Sequence, residues 1–286
     1  MAFRHITVLG TGVLGAQIAF QSAYHGFDVV AYDIDAALID KARQTFSALA
    51  QRYLHDLKDA TPAVVEAALA RIAYATDLKA AAAQADLVIE AIPEQLALKR
   101  KVYAELGALA PAHTVFASNS STLLPSAMAD ASGRPEKFIA LHFANEIWRH
   151  NLAEVMGHAG TDPQVQAQVV AFAKAIGMMP IELHKERPGY VLNSLLVPFL
   201  DAAGSLLVDG IASPQDVDKA WCIGTGAPVG PFRIYDIVGL NTAYNIAAAG
   251  GPKAQVFARY LKEHYIDHGK LGVASGEGFY TYPKPV

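Results

Sequence analysis

The chain has 286 residues, 52% of them hydrophobic and 17% charged, with a formal net charge of −4; this excludes a disordered polymer and leaves room for about two domains. Lys and Arg are scattered, and the most basic stretch, Lys99, Arg100 and Lys101, is too short to make a nucleic-acid or anionic-membrane surface. The single cysteine, Cys222, excludes an internal disulfide framework, fits a reducing compartment such as the cytoplasm, and reads as a small core or interface residue rather than a nucleophile.

From Ile6 to Asp33 the chain reads as strand, glycine turn, helix, strand. Ile6 to Leu9 are apolar or β-branched, Gly10, Gly12 and Gly15 form GxGxxG with Val13 and Leu14 inside it, and Val29 to Tyr32 make a second apolar run ending in Asp33. Gly10 permits the tight turn out of the strand, Gly12 lets the backbone approach a pyrophosphate, and Gly15 lets the helix pack closely on the sheet. The phosphates belong at the helix N-terminus, where unpaired N–H groups and the dipole favour negative charge. Asp33 follows Gly15 by eighteen residues, the spacing of a carboxylate on an adenosine ribose diol. A carboxylate there repels a 2′-phosphate, so NAD is expected rather than NADP. Strand residues beginning at Ile6 leave no room for a signal or transit peptide.

Residues 36–73 read as a helical hairpin, with Leu38, Ala42, Phe46, Leu49 and Tyr53 at helix spacing, a charged bend near Lys58 and a second helix from Thr61 and Pro62. A minimal βαβ unit does not need this insertion, which makes it a candidate wall of a binding cleft. Strands are predicted at Ile72 to Tyr74 and Ala85 to Ala91, a helix over Leu96 to Leu109, and a strand from Val115 to Ala117. That strand runs into Ser118, Asn119, Ser120, Ser121 and Thr122, a polar cluster just past a strand's carboxyl end, where open α/β sheets bind ligands. A helix around Pro125 to Ala131, strands at Phe138 to His142 and Ala153 to Met156, a helix from Pro163 to Ile176 and a strand from Met179 to Leu183 follow. After Lys185 to Pro188 the alternation stops, and Tyr190 to Gly269 reads helical.

The expected fold is α/β: a Rossmann-type, mostly parallel sheet with a helical hairpin insertion in residues 1–186, followed by an all-α C-terminal domain in residues 187–286. The apolar stretch Val191 to Ile211 is interrupted by Asn193, Pro198, Asp201 and Asp209, which favours a buried or subunit-facing helix over a membrane span. Gly276 to Pro283 has the glycine and aromatic content of an extended arm. His264 and His268 are four apart, but with no third ligand at suitable spacing they read as solvent-facing, and no metal is expected.

A bound nicotinamide requires a group that manages the proton of the reacting alcohol, and histidine, titrating near neutrality, suits that task. His142 ends the apolar strand FIALH on the side where the cofactor should lie. Glu154, twelve residues later inside LAEVM, sits where an isolated carboxylate would be costly without a partner. If the two strands are neighbours, Glu154 accepts from one ring nitrogen and the other faces substrate. From position alone His142 also reads as a strand-end histidine with its bonds satisfied, Glu154 as an exposed or capping carboxylate, Ser120 and Ser121 as a turn, and Asn193 as a helix cap.

The order of SNSS, LHFANEIW, LAEVM and PGYVLN behind the glycine fingerprint, together with GTGAPVGPFRIYDIVGL from Gly224 to Leu240, resembles the L-3-hydroxyacyl-CoA dehydrogenase family over nearly the whole chain. The resemblance implies Ser121 as a catalytic serine, His142 as general acid/base, Glu154 as its orienting partner and Asn193 as a holder of the substrate carbonyl. It implies NAD contacts from Gly10, Gly12, Gly15 and Asp33, from the pair Glu94 and Lys99, and from Asn119 and Asn145. It also implies a small-molecule 3-hydroxyacyl or 3-ketoacyl substrate and a homodimer, with the helical domain completing the substrate cleft and the dimer contacts. HFANEIW lacks the second Phe and the Pro of the family's HFFNP, Trp148 is bulky enough to narrow a substrate entrance, and Ala274 stands where a family cofactor lysine is expected. These departures resemble a subgroup with a bacterial diketoreductase that reduces β,δ-diketo esters. Two further readings are a non-catalytic NAD-binding protein of the lens-crystallin kind and a dehydrogenase of a small free 3-hydroxy acid. A 6-phosphogluconate-type enzyme would need a lysine four residues before the asparagine, where this chain has Gly189.

Overall fold

A computed structural model describes residues 3–283, and the chain divides into two compact units after Val191. The first is built on an eight-stranded sheet: β1 (His5–Leu9), β2 (Asp28–Tyr32), β3 (Ile72–Ala75), β4 (Leu87–Glu90), β5 (Val115–Ser118), β6 (Phe138–Phe143), β7 (Leu152–Met156) and β8 (Met179–Leu183). Their order is β3-β2-β1-β4-β5-β6-β7-β8. Every neighbouring pair is parallel except β6 and β7. The central strands β4, β5 and β6 are buried at every residue, as their unbroken apolar runs demand of strands covered on both faces. Edge strand β8 is mostly exposed and carries Pro180, which blunts further pairing.

The first helix, α1 (Val13–Tyr24), starts directly after Gly12 and buries nine consecutive residues. The hairpin is α2 (Ala36–Asp56) and α3 (Pro62–Ala70). Asp35 caps the former through the Leu38 N–H, and Thr61 caps the latter through the Val64 N–H ahead of Pro62, in line with their start signals. Helices α4 (Leu78–Ala82), α5 (Leu96–Leu109) and α6 (Pro163–Ala175) complete the unit. The helix expected around Pro125 to Ala131 is instead two 3-10 turns, Pro125–Ala127 and Ala129–Ser132. Met128 breaks the helical dihedrals between them, and the Ser132 hydroxyl donates to the Ala129 carbonyl, a local bond that competes with helix propagation. The units also part later than the expected boundary at residue 186. Val191 donates its N–H to Glu154 and Tyr190 its hydroxyl to the Ser120 carbonyl, so this segment is stitched into the first unit.

The second unit consists of α7 (Leu192–Val208), α8 (Pro214–Thr225), α9 (Pro231–Val238), α10 (Leu240–Ala248) and α11 (Pro252–His264) around a core that includes Leu200, Phe232, Tyr235, Leu240, Phe257, Leu261 and Phe279. Two buried carboxylates hold its extended arm. Asp236 accepts from the N–H groups of Phe279 and Tyr280 and from the Tyr282 hydroxyl, each at 2.9 Å. Asp218 accepts from the Phe232 and Arg233 N–H groups at the start of α9 and from the Tyr280 hydroxyl. Among the described residues, no helix is long and apolar enough to cross a membrane.

Candidate active site

The chain leaves the β3 edge and resumes on the other side of β1 as β4. That reversal opens a crevice at the strands' carboxyl ends, and the glycine loop lies in it. Gly10 has φ of 88°, and a Cβ there would lie 2.7 Å from the Ala91 carbonyl oxygen. A Cβ on Gly15 would lie 1.9 Å from the Gly10 carbonyl oxygen. A Cβ on Gly12 would meet nothing within 4 Å, so Gly10 and Gly15 are required by the fold whereas Gly12 keeps the crevice clear. The N-terminus of α1 has no side-chain cap and no acidic residue in its first turn, which leaves its N–H groups for an anion. A cleft of about 250 Å³ is lined by Gly12, Val13, Leu14, Gly15, Ala91, Ile92, Glu94, Lys99, Asn119, Ser121 and Thr122. This cradle fits a dinucleotide pyrophosphate.

Asp33 follows the end of β2. One carboxylate oxygen accepts from the Thr11 N–H at 2.8 Å and the Thr11 hydroxyl at 2.6 Å, and the other accepts from the Ile34 N–H. Thr11, an unassigned position of the fingerprint in the sequence reading, therefore ties Asp33 to the glycine loop.

Beneath the cleft lies a buried polar network. The Lys99 ammonium donates to Glu90 at 2.5 Å and lies 3.2 Å from Glu94; Glu90 also accepts from the Ser118 and Tyr103 hydroxyls. Glu94 accepts from the hydroxyls of Ser120 and Thr122 and from the Thr122 N–H. Partial burial alone would raise the Glu94 carboxyl, but the Ser120 hydroxyl, the Lys99 charge and Thr122 outweigh it and hold it down to about 2. Sequence reasoning paired Lys99 with Glu94 and missed Glu90. A signal existed, because Glu90 ends an apolar strand where an unpartnered carboxylate would be costly.

Strands β6 and β7 set His142 directly opposite Glu154 in their antiparallel register. His142 Nδ1 lies 3.1 Å from Glu154 Oε2, and its Nε2 lies 3.1 Å from the Ser121 hydroxyl oxygen. A carboxylate can only accept, so Nδ1 carries a proton, and in the neutral imidazole Nε2 accepts from Ser121. His142 and Glu154 are buried, and the other Glu154 oxygen accepts from the Val191 N–H at 2.9 Å. The Tyr190 ring stacks on the imidazole, centroids 4.5 Å apart and planes within 9°.

Asn119 lines the cleft and accepts the Phe143 N–H. Asn145 is exposed in the loop after β6, and Asn193 occupies the first turn of α7 in the second unit. Trp148 faces inward instead of standing at an entrance: it is 6% exposed, packs on Tyr53 and donates its indole N–H to Asp56. Its bulk fastens the hairpin to the loop after β6.

A doubly wound sheet with a dinucleotide cradle, beside a hydroxyl, an imidazole and a carboxylate in one hydrogen-bonded row, defines an alcohol-oxidising or ketone-reducing dehydrogenase of the Rossmann class. Residues 5–187 match the family described as 3-hydroxyacyl-CoA dehydrogenase, NAD binding domain, and residues 189–282 its C-terminal domain; the chain belongs to the 3-hydroxyacyl-CoA dehydrogenase family and is an NAD-dependent oxidoreductase acting on a CH–OH group. It is 35% identical to the mitochondrial hydroxyacyl-coenzyme A dehydrogenase of Homo sapiens, covering 98% of this chain and 91% of that protein. It is 34% identical to a probable 3-hydroxybutyryl-CoA dehydrogenase of Deinococcus radiodurans, covering 96% and 99%. Among solved structures, a diketoreductase described in work on substrate-directed dual catalysis of dicarbonyl compounds shares 61% identity with a TM-score of 0.97, covering 99% of this chain and 100% of that one.

Proposed function

We propose that this protein interconverts 3-ketoacyl and L-3-hydroxyacyl substrates, taking β-keto or β,δ-diketo esters as well as CoA thioesters, and that Ser121, His142, Glu154 and Asn193 carry the reaction. The observation that supports this reading best is the row Ser121–His142–Glu154 beside the glycine cleft, with both ring nitrogens of the buried histidine engaged at 3.1 Å. The 61% identity to a diketoreductase supports the ester substrates.

Gly12, Val13, Leu14 and Gly15 would hold the pyrophosphate, Asp33 the adenosine ribose, and Glu94, Lys99, Asn119 and Asn145 would frame the nicotinamide end. When bound, NAD(H) supplies the hydride exchanged with the substrate's C3. His142 Nε2 takes the proton of the 3-hydroxyl in oxidation and returns it in reduction. Glu154 holds the Nδ1–H tautomer and stabilises the imidazolium, while Ser121 and Asn193 donate hydrogen bonds to a substrate oxygen as charge shifts onto it. The second unit carries the contacts of a homodimer, and the protein works in the cytoplasm. A non-catalytic NAD-binding role is less well supported, since the named relatives are dehydrogenases and a reductase.

The test is NADH oxidation with acetoacetyl-CoA and with a β,δ-diketo ester. Turnover of either substrate is expected, with NADH clearly preferred over NADPH. His142→Ala should lose about 10²- to 10⁴-fold in turnover while NADH fluorescence titration is unchanged. Wild-type turnover in His142→Ala removes the acid/base assignment, and parity of the two cofactors removes the role of Asp33.

A further inference from the structure

The hydrogen bonds of His142 leave one degree of freedom unguarded. During reaction Nε2 must take a proton from a substrate oxygen or return one to it, so its bond to Ser121 cannot be what steadies the ring at that moment. Glu154 then grips the imidazole at Nδ1 alone, which does not prevent the ring from tilting.

The segment Gly189 to Val191 supplies the missing constraint. The Gly189 N–H donates to the Ser121 carbonyl at 3.2 Å, the Val191 N–H donates to Glu154 at 2.9 Å, and between them Tyr190 lays its ring flat on His142. Three consecutive residues thus touch all three members of the row. The Tyr190 hydroxyl donates to the Ser120 carbonyl at 2.8 Å, the peptide group leading into Ser121. Tyr190 is 1% exposed and has φ of 51°, a left-handed conformation that a bulky aromatic residue holds only where its surroundings enforce it. Burial, with the Glu154, Glu94 and Glu90 carboxylates behind it, raises its phenol far above the ordinary range, so it remains a hydrogen-bond donor.

We infer that Tyr190 is a positioning residue for the reaction: its ring is the flat wall that keeps the His142 imidazole aimed while Nε2 takes a proton from substrate or returns one to it. The stacked face does this work, and the hydroxyl adds a secondary tether to the loop of Ser121. This inference rests on His142 being the acid/base, and one control separates the two.

The experiment compares Tyr190→Phe, Tyr190→Leu and Tyr190→Met with His142→Ala, measuring kcat, KM for acetoacetyl-CoA, NADH affinity and the solvent deuterium isotope effect. Tyr190→Phe keeps the flat face and should hold kcat within about threefold of wild type. Leu and Met fill the space without a flat face and should lower kcat by about 10- to 100-fold, the scale of loss when a reacting group is misaimed. NADH affinity should not change, and the solvent isotope effect should rise as proton transfer becomes slow. Wild-type kcat in Leu or Met, a Phe variant that loses as much as they do, or losses confined to KM or NADH affinity would each overturn the role of Tyr190. If His142→Ala is itself fully active, the acid/base reading fails; if it is inactive while Tyr190→Leu is fully active, only the role of Tyr190 fails.

Discussion

At the scale of single residues, the site depends on polar groups buried in deliberate company. His142 and Glu154 are twelve positions apart, a spacing that a short two-stranded reversal can close, and their pairing was open to a reader who asked why a carboxylate lies inside LAEVM. Glu90 poses the same question inside LVIE. Its partner Lys99 lies nine residues on, across a loop and into α5, where no strand periodicity links the two. Tyr190 and Thr11 were illegible for a related reason: a stacked ring and a hydroxyl tether come from tertiary approach, which leaves no local pattern. Glu94 offers a residue-scale test. Its carboxyl is lowered to about 2 from an ordinary 4.5, so the ionised form stabilises the fold fully above 4.5 and loses that contribution as pH falls through about 2. The stability difference between wild type and Glu94→Gln, followed by urea unfolding, should therefore be largest near neutrality and shrink below 4.5. A difference independent of pH would count against this account.

At the scale of elements, the strands and long helices were legible because burial on two faces, helix spacing and cap residues all act locally. The 3-10 turns after Leu124 were not, because Met128 departs from helical dihedrals within a segment whose composition suits a helix. The turn from β1 into α1 divides labour among its glycines, and substitution can expose this. Gly15→Ala drives a Cβ into the Gly10 carbonyl and should cost about 1–3 kcal/mol, the usual range for overpacking, read as a lower melting temperature. Gly12→Ala meets no neighbour and should melt like wild type while binding NADH about tenfold or more weakly, since a methyl group there would occupy the pyrophosphate's approach. Equal melting losses in the two variants would argue against a cleft kept clear for a ligand.

At the scale of the whole molecule, the second unit displays large apolar side chains, among them Leu195, Ile223, Ile237 and Ile246, on elements that also build its core. Side chains of this kind would be covered in the proposed subunit contact. Light scattering should return twice the 30.5 kDa chain mass, and a mass of 30.5 kDa at micromolar concentration would remove the homodimer from the proposal. The sequence placed the change from alternating to helical structure within a few residues, yet the units part only after Val191, because the stitches to Ser120 and Glu154 are side-chain bonds that composition does not register.

The arm that Asp236 and Asp218 hold has a consequence for the order in which this protein is made. Phe279, Tyr280 and Tyr282 follow the helices of their unit in chain order, and until they are made the two carboxylates have no phenol or arm amide to satisfy them. Asp236 is costly to leave ionised without them, since burial already raises its carboxyl. The sheet-bearing half can fold while synthesis continues. The helical half lacks these stitches until translation has passed the arm.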